Sequence, residues 1–409
     1  MKILHTSDWH IGRTLNGRKR YAEHEAFLNW LARTVDEENV DAVLISGDVF
    51  DNTTPSNAAQ ELYYRFLCRV AGSSGRQVVV IAGNHDSPSF LKAPKELLKH
   101  IHIQVFACAA HDPADEVTVL CAMDGRPGMI VCAVPYLRDT DLRTAEAGES
   151  LEDKERKMIG EIKNHYLRVC EAAMKIRERL QKPLPIVAMG HLFAAGGRTL
   201  DGDGVRHLSV GTLAQVGKEV FPDVIDYLAL GHLHVPQRVG GSEVMRYCGS
   251  PLPMGFGEAG QEKKVVLVNF ENREPNVSER VVPLFQELKT LRGDWFLLSR
   301  DIQELKFRKS RAWLEVIYDG EEMIGDLRER LEEATSGTDI AILSVKNSRW
   351  LHKAFRSETE VEALDALDIN DVFSRCLDAC RVPGEQRPVL WSAYQEMLAS
   401  LDEEDPLAT

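Results

Sequence analysis

The sequence predicts an α/β fold that is followed by a small α+β region and a helical carboxyl-terminal segment. Short, β-branched apolar segments alternate with helical stretches over the first 270 residues, which is typical of layered α/β proteins. A strand–helix–strand pattern comes next, and the chain then continues with amphipathic stretches at helical spacing. With 409 residues, the chain is long enough for two or three domains.

Six segments in the first part have the composition of buried strands. Each is a short apolar run, rich in β-branched residues, that ends at glycine or polar residues. Between the first two, apolar residues recur at helical spacing from Phe27 to Val35, and residues 151–181 form a charged helical insertion before the fifth. The six segments are KILHTS from residue 2, VDAVLISG from 40, QVVVIAG from 77, GMIVCAVP from 128, LPIVAMG from 184 and VIDYLALG from 224.

The pattern divides the chain into three parts. The first spans residues 1–275, and the polar stretch ENREPNVSER around its end is predicted to be a linker. A small α+β domain spans residues 281–348, with a helix from about Glu321 to Glu333 between two strands. Residues 357–401 are predicted to be helical, because two apolar stripes recur at helical spacing on either side of a Pro-Gly break. The stripes are Ile369, Val372, Phe373, Cys376, Leu377 and Cys380, and then Leu390, Tyr394, Met397, Leu398 and Leu401.

Composition and charge exclude several classes of protein. An apolar fraction of 44% with 27% charged residues is typical of a globular chain. The amino terminus lacks the apolar region of a secretory signal, and no apolar run is long enough to span a bilayer, so we expect a cytoplasmic protein without a membrane segment. Eight cysteines without a Cys-x-x-Cys pair argue against zinc ribbons and disulfide frameworks. The net charge of −14 predicts that binding to a polyanion is local or shared with a partner.

Polar residues follow five of the six strands at the point where each strand ends. In four of the five, a glycine directly precedes the polar residue, which allows a tight turn and a close approach of backbones. Because the carboxyl ends of parallel strands share one edge of an open α/β sheet, we expect these side chains to meet in one crevice. They are Asp8 and His10, Asp48, Asn84 with His85 and Asp86, His191, and His232 with His234.

This set of residues has the chemistry of a metal site. Without His85 and Asp86, it offers two aspartates, one asparagine and four histidines. Seven such donors exceed the needs of one ion and suit two ions that share a bridging carboxylate. Imidazole, carboxylate and amide ligands without thiolate favour manganese, iron or zinc over calcium. A single Gly-His pair is most often only a turn, but five matching strand ends predict a site for two metal ions.

The motifs at these strand ends resemble those of the calcineurin-like metallophosphoesterases. Within that superfamily, HTSDWHIG, ISGDVFD, AGNHDS, ALGHLH and YCGSP are similar to the SbcD-type nuclease subunits. The resemblance implies a metallophosphoesterase β-sandwich flanked by helices for residues 1–275, a capping domain for 281–348, and a partner-binding helical segment for 357–401. The motifs are Asp8-x-His10, Gly47-Asp48, Gly83-Asn84-His85-Asp86, Gly190-His191 and Gly231-His232-Leu233-His234.

The same resemblance implies a role for each site residue. His85 would be the catalytic histidine that donates a proton to the leaving group, and Asp86 would orient it. The implied cofactors are two Mn²⁺ ions, for which Mg²⁺ is a poorer substitute. One ion would be bound by Asp8, His10, Asp48 and His234, and the other by Asp48, Asn84, His191 and His232, so that Asp48 bridges them.

The implied activity is hydrolysis of phosphodiester bonds by a manganese-dependent DNA nuclease subunit. It would act as exonuclease and endonuclease on double-stranded ends and hairpins, in DNA repair, recombination and replication. The implied partner is an SbcC-type ATPase docked on residues 357–401, and the resemblance allows a homodimer within a heterotetramer. A phosphatase or small-molecule phosphodiesterase of the same superfamily is the alternative, whereas a scaffold without catalysis is disfavoured because no ligand of the motifs is missing.

A cationic stretch directly follows His10. Residues 12–20, GRTLNGRKR, contain four cationic side chains. These could hold DNA phosphates beside the metal ions, or they could belong to a solvated loop.

Overall fold

The computed structural model describes residues 1–347, except 73–74, 123, 143–149, 195–215 and 323, together with eight helical positions between 373 and 394. The chain divides into two compact units, Met1–Lys289 and Thr290–Thr409. Along the described part of the chain, no helix is both long enough and apolar enough to cross a membrane.

All six predicted strands are present in the first unit, where strands and helices alternate. The strands are β1 (Lys2–Thr6), β2 (Thr14–Leu15), β3 (Arg18–Lys19), β4 (Ala42–Ser46), β5 (Gln77–Ile81), β6 (Ile103–Phe106), β7 (Val117–Cys121), β8 (Pro127–Ala133), β9 (Ile186–His191), β10 (Tyr227–Gly231), β11 (Gln237–Arg238), β12 (Met245–Tyr247), β13 (Lys264–Glu271) and β14 (Glu274–Val281). The helices are α1 (Tyr21–Glu37), α2 (Asn57–Ala71), α3 (Pro88–Lys92), α4 (Lys95–Lys99), α5 (Asp139–Leu142) and α6 (Leu151–Leu180).

The long strands of the first unit form two sheets of six strands each. One has the order β14-β13-β1-β4-β5-β6, and the other has the order β11-β12-β10-β9-β8-β7. In the first sheet β1, β4, β5 and β6 are parallel, and in the second β8, β9, β10 and β12 are parallel. The parallel part of each sheet therefore presents several carboxyl-terminal strand ends side by side.

The two sheets pack face to face, which confirms the predicted β-sandwich flanked by helices. Alternate residues of β4 divide between two cores, because successive side chains of a strand point to opposite faces. Leu44 packs between the sheets with residues such as Val187, whereas Val43 packs in the core formed with α1 and α2. The helix α1 buries Phe27, Leu31 and Val35 against that outer face, and α6 covers the outer face of the second sheet.

The prediction of a linker at ENREPNVSER is wrong. Residues Glu274–Val281 form β14, which pairs with β13 along its full length in antiparallel register. The strand lies at the edge of the sheet, and most of its side chains are exposed. A mostly exposed edge strand needs few apolar residues, so its sequence has the polar composition of a linker.

The second unit is a small α+β structure, and its assignment as a capping domain stays a prediction. One face of its three-stranded sheet packs with two helices around Leu298, Leu314 and Leu331. The second helix begins at Leu327, six residues after the predicted start, and Gly325 in the intervening stretch disfavours helix. The elements are β15 (Leu288–Gly293), α7 (Trp295–Phe307), β16 (Trp313–Tyr318), α8 (Leu327–Thr335) and β17 (Ala341–Asn347).

The partner-binding segment predicted for residues 357–401 lies outside the described residues, apart from the eight helical positions. Among these, Phe373 and Tyr394 come from the two different apolar stripes. Their rings stack with centroids 3.9 Å apart. The stripes therefore contact each other at this point, and the docking role of the segment stays a prediction.

We predict that replacing Leu44 with alanine destabilises the first unit by about 2–5 kcal/mol, because it leaves a cavity between the two sheets. Urea unfolding followed by circular dichroism would measure the change. Leu97 is 72% exposed, so Leu97→Ala is the matched control and should change stability by less than about 0.5 kcal/mol. Equal effects of the two substitutions would contradict the packing of Leu44 between the sheets.

Candidate metal centre

The seven candidate metal ligands come from strand ends of both sheets. Asp8 and His10 follow β1, Asp48 follows β4, and Asn84 follows β5, all in the first sheet. His191 is the last residue of β9, and His232 and His234 follow β10, both in the second sheet. The sequence suggested that these residues share one edge of a single open sheet. In the structure they lie instead at the ends of strands from two sheets that pack against each other.

Backbone contacts hold these strand ends together. The amide of Asp8 donates to the carbonyl of Gly47 at 3.0 Å, and the amide of His10 donates to the carbonyl of Asp48 at 3.0 Å. Glycine is required where the backbones approach most closely. A Cβ atom at Gly83 would collide with Asp48, and one at Gly231 would collide with the carbonyl of Ser46.

Four of the candidate ligands have unusual backbone conformations. Asp8, His10 and Asp48 have φ of 53°, 45° and 50°, and His232 has φ of 102°. Residues other than glycine adopt positive φ infrequently, and each such residue costs on the order of 1–3 kcal/mol unless its surroundings impose it. Their concentration at one place is typical of a functional site.

Asp8, His10 and His234 form the first group of potential ligands. All three are buried, and one donor atom from each lies within 4.8 Å of the others. Nε2 of His10 is 3.2 Å from Nε2 of His234. The Nδ1 atoms of both rings face carboxylates, because His10 Nδ1 lies 3.3 Å from Oδ1 of Asp51 and His234 Nδ1 lies 3.7 Å from Oε1 of Glu258.

Asp48, His191 and His232 form the second group, and Asn84 joins it. One donor atom from each of the first three lies within 4.8 Å of the others. Oδ1 of Asn84 is 3.0 Å from Nε2 of His191 and 3.0 Å from Nδ1 of His232. Nδ1 of His191 is 2.9 Å from the carbonyl oxygen of Ser46, so this nitrogen carries the proton in the neutral ring.

Asp48 lies between the two groups. Its Oδ2 atom is 3.6 Å from Nε2 of His10, which belongs to the first group, and 3.3 Å from Nε2 of His191, which belongs to the second. Its Oδ1 atom accepts a hydrogen bond of 2.9 Å from the amide of His85. One carboxylate oxygen therefore faces a nitrogen of each group.

The arrangement of these donors fits bound cations. With protons on the Nδ1 side, Nε2 of His10 and Nε2 of His234 present lone pairs to each other across 3.2 Å. Nε2 of neutral His191 likewise presents a lone pair to the oxygens of Asn84 and Asp48. Acceptors that face acceptors repel unless a proton or a metal ion lies between them.

The pKa shifts in the metal-free chain also indicate a site that binds cations. Burial raises the pKa of the Asp8 carboxyl to about 7, and burial lowers the pKa of His232 to about 3. Burial also opposes a charge on His191, but the carboxylates of Asp48 and Asp8 outweigh it and raise the pKa of His191 to about 9. The centre therefore attracts positive charge, which a metal ion can supply in place of a proton.

The structure gives Asp86 different partners from those expected. Its carboxylate accepts hydrogen bonds from the backbone amides of Val49, Phe50 and Gly83 at 3.2, 3.0 and 2.9 Å. Asp86 therefore ties the end of β4 to the end of β5. The ring of His85 is held instead by Asp51, whose backbone oxygen lies 2.9 Å from Nδ1 of His85.

Sequence reasoning missed Asp51, which contacts three residues of the site. Its carbonyl holds His85, and its carboxylate lies 3.3 Å from Nδ1 of His10 and 3.1 Å from Nη1 of Arg13. His10, Asp51 and His85 also form a third group of closely spaced donors. The available signal was its position three residues after Asp48 on the same loop.

The four cations of residues 12–20 divide into two pairs. Arg20 is buried, where it pairs with Glu23 and donates to the carbonyl of Pro253 at 2.6 Å, and Arg13 contacts Asp51. Arg18 and Lys19 are exposed on β3, which pairs with β2. Two of the four cations therefore hold this stretch in place, and the other two are exposed to solvent.

The chain matches known protein families and curated relatives. Residues 1–236 match the family model described as calcineurin-like phosphoesterase, and residues 284–381 match the one described as type 5 capsule protein repressor C-terminal domain. The SbcD subunit of nuclease SbcCD from Escherichia coli strain K12 is 34% identical over 404 residues, which are 98% of either chain. The protein of the same name from Rhodobacter capsulatus is 37% identical over 299 residues, which are 71% of either chain. Among solved structures, TT1561 of Thermus thermophilus aligns at a TM-score of 0.39 and 14% identity, over 69% of this chain and 99% of that one.

We predict that the metal-free chain loses stability as pH rises from about 6.5 to about 9. The folded chain holds a proton on His191 in this range and the unfolded chain does not, so the stabilisation is complete below about pH 6.5 and is lost as pH passes the folded pKa of about 9. The expected loss is on the order of 1–3 kcal/mol. Urea unfolding in the presence of a chelator, repeated across this pH range, would measure it.

The matched variant for that measurement is His191→Gln, which cannot take up the proton. It should show a much flatter dependence of unfolding free energy on pH between about 6.5 and 9. If the unfolding free energy of the variant falls with pH as much as that of the unchanged chain, His191 does not hold the proton assigned to it.

Proposed function

Because the chain belongs to the calcineurin-like phosphoesterases, and within them to the SbcD-type nuclease subunits, we propose that it is a cytoplasmic, manganese-dependent DNA nuclease subunit. It hydrolyses phosphodiester bonds at double-stranded ends and hairpins, as exonuclease and endonuclease, in DNA repair and recombination. The observation that carries the proposal is the position of Asp48, one of whose oxygens faces both groups of potential ligands. A centre for two metal ions needs such a bridging carboxylate.

The assignment of residues to the two ions follows the two groups. Asp8, His10 and His234 would hold one ion, and Asn84, His191 and His232 would hold the other, while Asp48 would belong to both sets. Two cations bound there would supply an activated water for in-line attack and positive charge against the developing negative charge. Because four of the seven ligands are imidazoles, the centre suits Mn²⁺ better than Mg²⁺, which prefers oxygen ligands and retained water.

His85 is the proposed general acid. Its ring is partly exposed and lies beside His10, with ring centroids 4.8 Å apart. The contact between its Nδ1 and the carbonyl of Asp51 fixes the ring. In the doubly protonated ring, Nε2 is then the atom that can donate a proton to a departing sugar oxygen. Asp86 supports this indirectly, since it fixes the two strand ends between which His85 lies.

Binding of DNA must overcome the charge of the chain. A net charge of −14 repels a polyanion, so contacts with the phosphates depend on local cations. Arg18 and Lys19 are exposed on the β2–β3 hairpin, which begins one residue after Arg13, and Arg13 contacts Asp51. We assign to this pair the phosphate contacts nearest the metal ions, and to an SbcC-type ATPase partner the remaining contacts with DNA.

We predict that the purified full chain cleaves labelled duplex ends and hairpin DNA with Mn²⁺, more weakly with Mg²⁺, and not after chelation. His85→Gln should lower the cleavage rate by about 10²–10⁴-fold, the typical contribution of a general acid, while binding of two Mn²⁺ persists. His100→Gln is the matched control, since His100 is exposed, and should leave both properties unchanged. Gel assays would measure cleavage, and calorimetric titration would measure metal binding.

Two results would contradict this assignment. Hydrolysis of p-nitrophenyl phosphate without any cleavage of DNA would favour the alternative of a phosphatase. Loss of Mn²⁺ together with loss of cleavage in His85→Gln would make His85 a ligand in place of the general acid.

We also predict that reversing both hairpin charges, Arg18→Glu with Lys19→Glu, weakens binding of duplex DNA by about tenfold or more. The slope of log affinity against log salt should fall in magnitude by up to about two, one for each lost phosphate contact. Fluorescence anisotropy with chelator present would measure binding, and hydrolysis of bis-p-nitrophenyl phosphate with Mn²⁺ should be unchanged.

The control for this prediction reverses the same amount of charge elsewhere. Arg126 and Arg273 lie at turns next to the opposite ends of the strands, where Arg126 pairs with Asp124 and Arg273 pairs with Asp226. Replacing both Arg126 and Arg273 with glutamate should leave the slope of log affinity against log salt nearly unchanged. An equal effect of the two double variants would mean that only overall charge matters and that the hairpin makes no specific contact.

A further inference from the structure

The loop between β12 and β13, residues 248–263, contributes none of the seven candidate ligands but contacts His234 and Ser7, the neighbour of Asp8. Asp8 and His234 both belong to the first group. We call this segment the β12–β13 loop. The loop therefore lies behind ligands of one of the two proposed metal positions.

The contact with His234 is made by a buried ion pair. Glu258 is completely buried and Lys263 is 4% exposed, and Nζ of Lys263 donates to Oε2 of Glu258. Oε1 of Glu258 lies 3.7 Å from Nδ1 of His234. Lys263 also donates to the backbone oxygen of His234 at 3.1 Å, and the amide of Ser250 donates to the same oxygen at 3.1 Å.

The contact with Asp8 runs through Ser7. The hydroxyl of Ser7 donates to Oδ2 of Asp8, and Sγ of Cys248 lies 3.0 Å from that hydroxyl. Cys248 is completely buried. The beginning and the end of the β12–β13 loop therefore reach two ligands of the same group.

The middle of the loop is fixed to the body of the first unit. Arg20 donates to the carbonyl of Pro253 at 2.6 Å, and Nε of Arg13 donates to the carbonyl of Met254 at 3.3 Å. The amide of Met254 in turn donates to Oε2 of Glu258 at 2.9 Å. The carboxylate of Glu258 is thus held in one place before any metal ion binds.

We propose that Glu258, held by Lys263, is a positioning residue that sets the metal affinity of the position formed by Asp8, His10 and His234. A carboxylate on the Nδ1 side of His234 favours the ring with its proton on Nδ1, so that Nε2 presents its lone pair toward the metal position. A buried ion pair by itself contributes little to stability, because desolvation of the charges offsets their attraction. Because the pair lies against His234, its role is in metal binding and not in the stability of the fold.

The test rests on the proposed two-metal centre and uses the full chain with Mn²⁺. Glu258→Gln keeps the shape of the side chain and removes its charge. Calorimetric titration and elemental analysis should show about 10–100-fold weaker binding of one Mn²⁺, with the second ion bound as in the unchanged chain. Retention of the second ion also shows that the variant is folded.

The matched control is Glu116→Gln. Glu116 is 1% exposed and pairs with Nε2 of His165 at 2.8 Å, so it is an equally buried Glu–His pair that involves none of the seven ligands. This variant should bind both ions normally. In a chain that already carries His234→Ala, adding Glu258→Gln should cause no further loss of affinity, since a residue that acts through His234 has no effect in its absence.

Several outcomes would overturn the proposal. Normal binding of both ions by Glu258→Gln would do so, as would equal loss of both ions, or a full effect of Glu258→Gln on top of His234→Ala. If Glu258→Gln does not fold, Glu258→Asp decides by the same criterion, because it keeps the charge but draws the carboxylate back from Nδ1 of His234. An unchanged chain that binds no divalent metal would instead refute the proposed function.

Discussion

The packing of two sheets with their carboxyl-terminal strand ends side by side is the constraint on which the rest of the site depends. Neither sheet alone carries a complete set of donors, because the first supplies Asp8, His10, Asp48 and Asn84 and the second supplies His191, His232 and His234. The apolar layer between the sheets fixes their separation. Hydrogen bonds such as that from His191 to the carbonyl of Ser46 then join the two sets across the interface.

Burying so many polar groups costs free energy of desolvation, and contacts with neighbouring groups reduce that cost. Three of the four candidate imidazole ligands have a partner on the side away from the centre: Ser46 for His191, Asp51 for His10 and Glu258 for His234. Such partners orient the ring and direct its remaining nitrogen inward. The positive φ angles of Asp8, His10 and Asp48 are tolerated for the same reason, since the surrounding contacts impose them.

Charge is distributed unevenly in this acidic chain, and the distribution matters more than the total. The centre attracts positive charge, as the raised pKa of His191 shows. Beside it, Arg13 and Arg20 are used to hold the backbone, while Arg18 and Lys19 remain exposed. These exposed cations provide local positive charge in a chain whose net charge is negative.

The sequence by itself determined six strands of the first unit and the set of candidate ligands. Apolar, β-branched composition identified these strands, and the polar residues at their ends were the seven candidate donors that the structure brings together, because strand ends are local features of a sequence. It missed β14 as a strand, since an exposed edge needs few apolar residues. Only the tertiary structure decided which strands belong to which sheet, that Asp51 in place of Asp86 holds His85, and that Glu258 reaches His234. These contacts join residues far apart in the chain or depend on loop geometry, and neither follows from local periodicity.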